Sequence, residues 1–557
     1  MRLIIEGHSY DESSIKDFLN LKVAENGNTL FSKDEKLKFK TDYVGYCYSK
    51  EIDDCIFFLP KVIINNDDEK VFGFSPEELI DFGTKEQKDI QNFLSQFPLN
   101  IYCALKKFYR KNVGTTVVHR TDIPSIGILG RKHCNTFLDI LLSLIRFNNE
   151  NRSYFTFVLK KAHSGYNKIN WHKTISSRIP VLRDDTPIYL KVISKKRVVN
   201  YDEELLILFF SILHYINKIY GFHSVVDYNY DIIDGNLFEE YLKNLGCVRL
   251  RQIKYKYFSD KQIYLWNLCY AFFDRCENIR TNGLQSDYLL ANNFNIVFED
   301  MVDDLIGDQN LPKGLKEQKD GKIVDHIYKD ASLLSLVNKQ ENVEHIYYIG
   351  DSKYYKKGDS IEGESIYKQF TYAKNVIQYN INEENKSKSP RYRDDLTEGY
   401  NVTPNFFIRG YIDDFRKQDE NLIVEKSENN RQYHYENRLF DRDTLWLTTF
   451  SINFLFVLSA YISGVNDDKK RIKEEIKTNL VKSLKYHYDF YKLSFKKDMS
   501  TFVEKNFKCL NGKIFRTSDD ADFIWLALEK TEKYKECNDK LLKLIKAEDI
   551  QYEPQTE

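Results

Sequence analysis

The stretch Ile346-Tyr347-Tyr348-Ile349-Gly350-Asp351-Ser352-Lys353-Tyr354-Tyr355 is an apolar, aromatic run that ends in an acid and a lysine two positions apart. It predicts a β-strand. Alternation puts Asp351 and Lys353 on one face and Tyr348 and Tyr354 on the other. A second short run, Ile323-Val324-Asp325-His326-Ile327-Tyr328, carries its acid 26 positions before Asp351. Further upstream, Phe294, Val297, Phe298, Met301, Val302 and Leu305 recur at i, i+3, i+4, i+7. That spacing predicts an amphipathic helix with Glu299 about 60° beyond the edge of its apolar stripe, free to face a ligand. Downstream, Ile366 to Tyr379 reads as a helix on which Gln369, Tyr372 and Val376 share a face.

An acid-x-lysine tripeptide is common in a lysine-rich chain and ordinarily marks a solvated strand end. The flanking Glu299, Asp325 and Gln369 give it a chemical context. Hydrolysing a phosphodiester requires a deprotonated water and neutralisation of the charge that grows on phosphorus. Hard carboxylate oxygens hold Mg²⁺, which lowers the pKa of a bound water. A lysine beside them can orient that water and stabilise the transition state, worth a few kcal/mol of barrier. The direction of the lysine's own pKa shift is not legible at this level.

The order helix-Glu, strand-Asp, strand-Asp-x-Lys, helix-Gln resembles the core of the PD-(D/E)xK nuclease superfamily. The resemblance implies an α/β fold, a mixed β-sheet flanked by helices. It implies Asp325, Asp351, Lys353, Glu299 and Gln369 as catalytic residues, and Asp325, Asp351 and Glu299 as ligands of one or two Mg²⁺ ions. Val324 departs from the pattern, since proline is commonest there. His326 faces away from Asp325 by alternation, which predicts a packing role.

With 82 Lys+Arg against 83 Asp+Glu the net charge is −1, so a nucleic acid must be held by local basic patches. Lys356, Lys357 and Lys368, with Tyr372, lie near the acid-x-lysine strand, as do Lys386, Lys388, Arg391 and Arg393. Arg249 and Arg251 belong to a second segment, residues 248–258, where basic and apolar residues interleave as they can along a phosphate strand. The alternative there is a helix or strand with a solvated basic face. Nine cysteines include no C-x-x-C pair, which argues against structural zinc, and with no hydrophobic leader after Met1 they fit a reducing cytoplasm. Thr444 to Val465 carries no charge and could span a bilayer by length. Its Ser, Thr and Asn residues and a mean hydropathy of −0.52 for the chain favour a buried strand running into a buried helix.

The length suggests two or three domains. The expected division is 1–110, an N-terminal β-containing region, with an α+β character overall before the nuclease core; 111–285, mostly helical and serving to dock DNA or a partner; 286–465, the nuclease domain; and 466–557, C-terminal helices. Runs at 43–48 and 55–60 read as a hairpin. Ser75-Pro76-Glu77-Glu78-Leu79 reads as a helix start. The polar loop 164–175 has no evident task. No G-x-x-x-x-G-K-[ST] motif occurs, so any motor must come from another subunit.

Tyr43-Val44-Gly45, Phe57-Phe58-Leu59-Pro60-Lys61, Lys168-Ile169-Asn170-Trp171 with Thr174-Ile175, Phe298-Glu299, Asp325, Asp351-Ser352-Lys353-Tyr354-Tyr355 and Lys368-Gln369 together resemble the LlaJI family of restriction endonucleases, which is related to McrC nuclease subunits. The resemblance implies a bacterial restriction role on double-stranded DNA, protection of the host by a cognate methyltransferase, an AAA+ NTPase partner and no membrane. Two other functions compete. One is a non-catalytic adaptor that activates a motor, which intact Glu299, Asp325, Asp351 and Lys353 argue against. The other is a repair nuclease of the same superfamily.

Overall fold

A computed structural model describes residues 2–554 except 20, 22–28, 36, 50–53, 66–68, 82–87, 121–135, 153, 163–167, 221, 223, 282–285, 318–322, 335–344, 357–362, 388–391, 413, 417–421, 426–430, 434–435, 496–497, 519–520 and 549. The chain is mixed α/β, built on three principal sheets. Strands Val44–Ser49 and Asp54–Leu59 form the expected hairpin, and Arg2–Ile5 runs parallel to the latter. The fourth strand of this sheet, Ser286–Ala291, was grouped with the nuclease region on the sequence. It lies antiparallel between Val44–Ser49 and Val118–Arg120. Gly45 makes that pairing possible: its φ is +140°, and a Cβ there would sit 2.2 Å from the Leu289 carbonyl oxygen. The helix start at Ser75 is a single 3₁₀ turn, Glu77–Leu79.

The second sheet has the order His326–Ala331, His345–Lys353, Asn405–Tyr411, Leu445–Asn453, Ile423–Glu425, with Arg431–Tyr433 also paired to Leu445–Asn453. The first pair is antiparallel and the next two are parallel. Period-2 alternation gives each face its own helix. Ile346, Tyr348 and Tyr354 join the large core that includes helix Phe294–Ile306. Ile327, Ile349 and Phe407 pack instead with Ile366, Phe370, Ala373, Val376 and Ile377 of helix Gly363–Ser387. All nine residues of Leu445–Asn453 are buried. Asn453 then caps helix Phe454–Ser463 by accepting from the Leu455 N–H, and Gly464 ends it at φ 68°. The uncharged run is thus a buried strand and a buried helix, and among the described residues no helix is long and apolar enough to cross a membrane.

The region after 466, expected to be mostly helical, also contains a sheet. Helices Asn466–His487, Met499–Leu510 and Glu532–Ala547 alternate with a four-stranded antiparallel sheet, Ile514–Phe515, Phe523–Glu529, Tyr488–Ser494, Gln551–Pro554. Its two long strands carry no clean period-2 signal: Phe523–Glu529 is buried at five consecutive positions, and in Tyr488–Ser494 the alternation breaks after Phe490. The large core is continuous from Leu3 to Ala527, and the N-terminal sheet, the helices of residues 137–276 and one face of the second sheet all contribute to it.

Candidate active site

The ends of the first two strands of the second sheet bring the predicted acids together. Lys353 Nζ lies 2.5 Å from Asp351 Oδ2, so the two share a face as alternation requires. The ammonium also sits 5.6 Å from the centre of the Phe407 ring. Asp325 stands at the bend before His326–Ala331 and accepts from the Ser352 N–H at 3.4 Å. Burial, the hydrogen bond and charge of Asp351, and the charge of Glu299 push the Asp325 carboxyl up to about 9, against the pull of Lys353. Glu299 is pushed up to about 7 by burial and by Asp351, against Asn295 and Lys353. Burial disfavours the Lys353 ammonium, but Asp351 and Asp325 outweigh it and raise its pKa above the ordinary lysine value. Lys353 is therefore a fixed cation at neutral pH.

Glu299 and Asp325 open onto a cleft of about 550 Å³ whose far wall is Phe108 and residues 112–115 of the N-terminal half. Asp300, next to Glu299, is held elsewhere, by Lys111 Nζ at 2.8 Å and by the Tyr461 hydroxyl at 2.6 Å. Among the described residues no three His, Cys, Asp or Glu form a ready-made metal cage. The donors that converge are carboxylate oxygens crowded beyond what Lys353 neutralises, a set that suits a hard divalent cation.

Asp303, one helical turn after Glu299, was not singled out on the sequence, although the i+4 spacing could have revealed it. His326 Nδ1 lies 3.3 Å from Asp303 Oδ1, and His326 Nε2 lies 2.6 Å from Ser352 Oγ. Burial disfavours the Asp303 carboxylate, but His326 and Lys316 outweigh it and hold its pKa below the usual value. The order Asp-His-Ser imitates a hydrolytic triad, yet His326 is fully buried and Ser352 nearly so. The chain braces the helix against both strands, in line with the packing role expected of His326.

Other predicted residues lie differently. Gln369 is fully buried and donates from Nε2 to Asn405 Oδ1 at 2.7 Å. Ile366 at i−3 and Ala373 at i+4 flank it inside the stripe the helix lays on the sheet, where it braces a strand. Tyr372 is partly buried, and its hydroxyl pKa is raised by burial and then by Asp325 and Asp351, which places it within their field. Lys368 is exposed and paired with Glu364 at 2.7 Å. Lys356 lines a second cleft of about 880 Å³, where Lys33, Lys38 and Lys70 mix with Asp34, Glu69 and Glu77. Lys357, like Lys388 and Arg391, lies outside the described residues. Residues 248–258 do not form an extended basic strip. Helix Gly246–Ile253 buries Leu250 and Ile253, the Arg249 guanidinium is bonded to Glu204, and Arg251 Nε donates to the Tyr270 hydroxyl at 2.9 Å. Both groups are already engaged within the helical region, because the interleaving is helical amphipathicity.

The N-terminal half also reaches the strand of Asp351 and Lys353 from behind. The Tyr354 hydroxyl donates to the buried Glu6 carboxylate and accepts from the Lys61 N–H at 3.1 Å. Nothing in the sequence links positions so far apart. No family model, curated protein or solved structure matches the chain.

Proposed function

We propose that this chain is a Mg²⁺-dependent DNA endonuclease of the PD-(D/E)xK type, serving a bacterial restriction system in the cytoplasm. The observation that carries the reading is the meeting of Asp325, Asp351 and Lys353 at adjacent strand ends, with Glu299 beside them at the cleft. Asp325 and Asp351 would hold the metal, with Glu299 as a further ligand. A bound Mg²⁺ supplies Lewis acidity and a water of lowered pKa. The chain's own residues do the rest. Lys353, paired with Asp351, serves as a positioned charge beside the scissile phosphate. Tyr372 offers a hydroxyl to a phosphate oxygen from the neighbouring helix, while Gln369 and the Asp303–His326–Ser352 brace keep the strands in register.

The sequence has no phosphate-binding loop, so recognition of a defined site is assigned to a second subunit, an AAA+ NTPase, with a methyltransferase protecting the host. The chain is assayed on unmethylated phage DNA with Mg²⁺, alone and with that NTPase. Asp351→Ala and Lys353→Ala should each abolish cutting while keeping the circular-dichroism spectrum. Undiminished cutting by either variant would sink the assignment.

A further inference from the structure

Residues 157–162 and 168–199, between helices Phe137–Glu150 and Glu204–Tyr220, form a small unit of their own. Strand Phe157–Ala162 pairs with Ser194–Val199, and helix Trp171–Ser177 and the hairpin Val181–Arg183/Thr186–Ile188 lie between them. Among its described residues only Thr174, Ile193 and Ser194 are buried. Hydrogen bonds stitch it together in place of an apolar core. Thr174 Oγ1 accepts from the Ile193 N–H at 3.0 Å and donates to the Asn170 carbonyl at 2.9 Å. The Asn170 N–H donates to the Ile193 carbonyl at 2.7 Å. Its large side chains stay outside: Phe157 is 51% exposed, Trp171 54% and Leu159 65%.

The charge of this unit is as lopsided as its burial. It has ten Lys or Arg against two Asp and no Glu, although the whole chain sums to −1. Lys161 lies directly opposite Lys195, and Lys160 opposite Lys196. Like charges in directly opposed positions destabilise a ribbon. Alternation puts Phe157, Leu159, Lys161, Lys195 and Arg197 on one face, with Arg197 over the Phe157 ring at 5.3 Å. Lys173 of the short helix stands beside Lys161, whose proximity pulls its ammonium pKa below the ordinary value. Lys161, Lys173, Lys195 and Arg197 form no salt bridge among the described residues. A merely solvating surface mixes its signs. Here an uncompensated cationic face is interleaved with exposed rings, the composition that holds a phosphate backbone and stacks bases.

We propose that residues 157–162 and 168–199 are a nucleic-acid-binding arm, which grips a sugar–phosphate backbone with Lys161, Lys173, Lys195 and Arg197 and offers Phe157 and Trp171 to unpaired bases. This site is separate from the catalytic strand and does not depend on cleavage.

The test uses the full chain in EDTA, with fluorescence anisotropy of labelled single- and double-stranded oligonucleotides across a salt series. Replacing Lys161, Lys173, Lys195 and Arg197 together by Gln should weaken binding at least roughly tenfold and lower the slope of log affinity against log salt by about 3. Lys535→Gln with Lys540→Gln serves as the control and should change neither. Phe157→Ala with Trp171→Ala should weaken single-stranded binding more than duplex binding. Unchanged affinity and salt slope in the fourfold variant, with its folding verified by circular dichroism, would overturn the proposal. Complete displacement of the oligonucleotide by polyglutamate at equal charge would also overturn it, in favour of an acidic protein surface. Because binding is read without metal, this outcome is distinguishable from failure of the nuclease reading.

Discussion

Glu299 and Asp300 are neighbours on one helix, and only their partners separate them. Glu299 is charge-coupled to Asp351, whereas Asp300 is bound to Lys111 and Tyr461. Glu299→Gln is therefore expected to cut turnover by an order of magnitude or more with little change in stability. Asp300→Asn should keep turnover and lower stability by about 1 kcal/mol, the scale of one charge-assisted hydrogen bond. Steady-state cleavage and urea unfolding of the two variants check this, and the reverse pattern would mean that the helical acid is misassigned by one residue. At this scale the pairing of Asp351 with Lys353 was legible, because residues on alternating strand positions obey local geometry. Gln369 was not. The apolar stripe that swallows it becomes visible only once the sheet beneath the helix is known.

Strands and helices of the second sheet were readable wherever apolar periodicity was long, as in Phe294–Ile306 and Leu445–Asn453. The C-terminal sheet left no such signal, because Phe523–Glu529 is an apolar run buried at its five central positions, without alternation. Between strands His345–Lys353 and Asn405–Tyr411 the fit is close. A Cβ on Gly350 would lie 2.7 Å from the Phe406 ring, directly before Asp351. Gly350→Ala should therefore displace the strand that carries both Asp351 and Lys353, lowering the melting temperature and reducing cleavage further than the lost stability accounts for. Full cleavage at a temperature where the variant remains folded would refute that coupling. Behind the same strand, Tyr354→Phe removes the hydroxyl shared by Glu6 and Lys61. Leaving a buried carboxylate short of its donor should cost about 1–3 kcal/mol in denaturant unfolding.

Across the whole molecule, the boundary between the two halves is the feature least legible in the sequence. Residues 286–291 adjoin helix Phe294–Ile306 in sequence but complete the N-terminal sheet, and strand pairing over such a separation leaves no local signature. Asp287 on that strand is buried and accepts from the Phe137 N–H at 2.7 Å and from Arg275 at 3.2 Å. Burial outweighs those partners and raises its carboxyl to about 6. An unfolded Asp titrates near about 3.9, so between the two values the folded chain holds a proton that the unfolded chain has released. Folding through this group gains as the pH falls across that window and loses as it rises. The melting-temperature difference between wild type and Asp287→Asn should thus shift in favour of wild type as the pH drops from 7 toward 4.5. A constant difference would exclude the assignment.

The inserted strand also sets a timetable for biogenesis. The hairpin of residues 44–59 emerges early from the ribosome, but its outer edge stays open until residues 286–291 arrive to fill the gap beside Val118–Arg120. At about 5–20 residues per second the nascent chain carries that unpaired edge for roughly 10–50 s. Over this interval the exposed edge is a template for pairing with other nascent chains on the same polysome. Slow translation through the middle of the message, or scarcity of chaperones that shield such an edge, would then lower the yield of this protein without altering any residue of its native contacts.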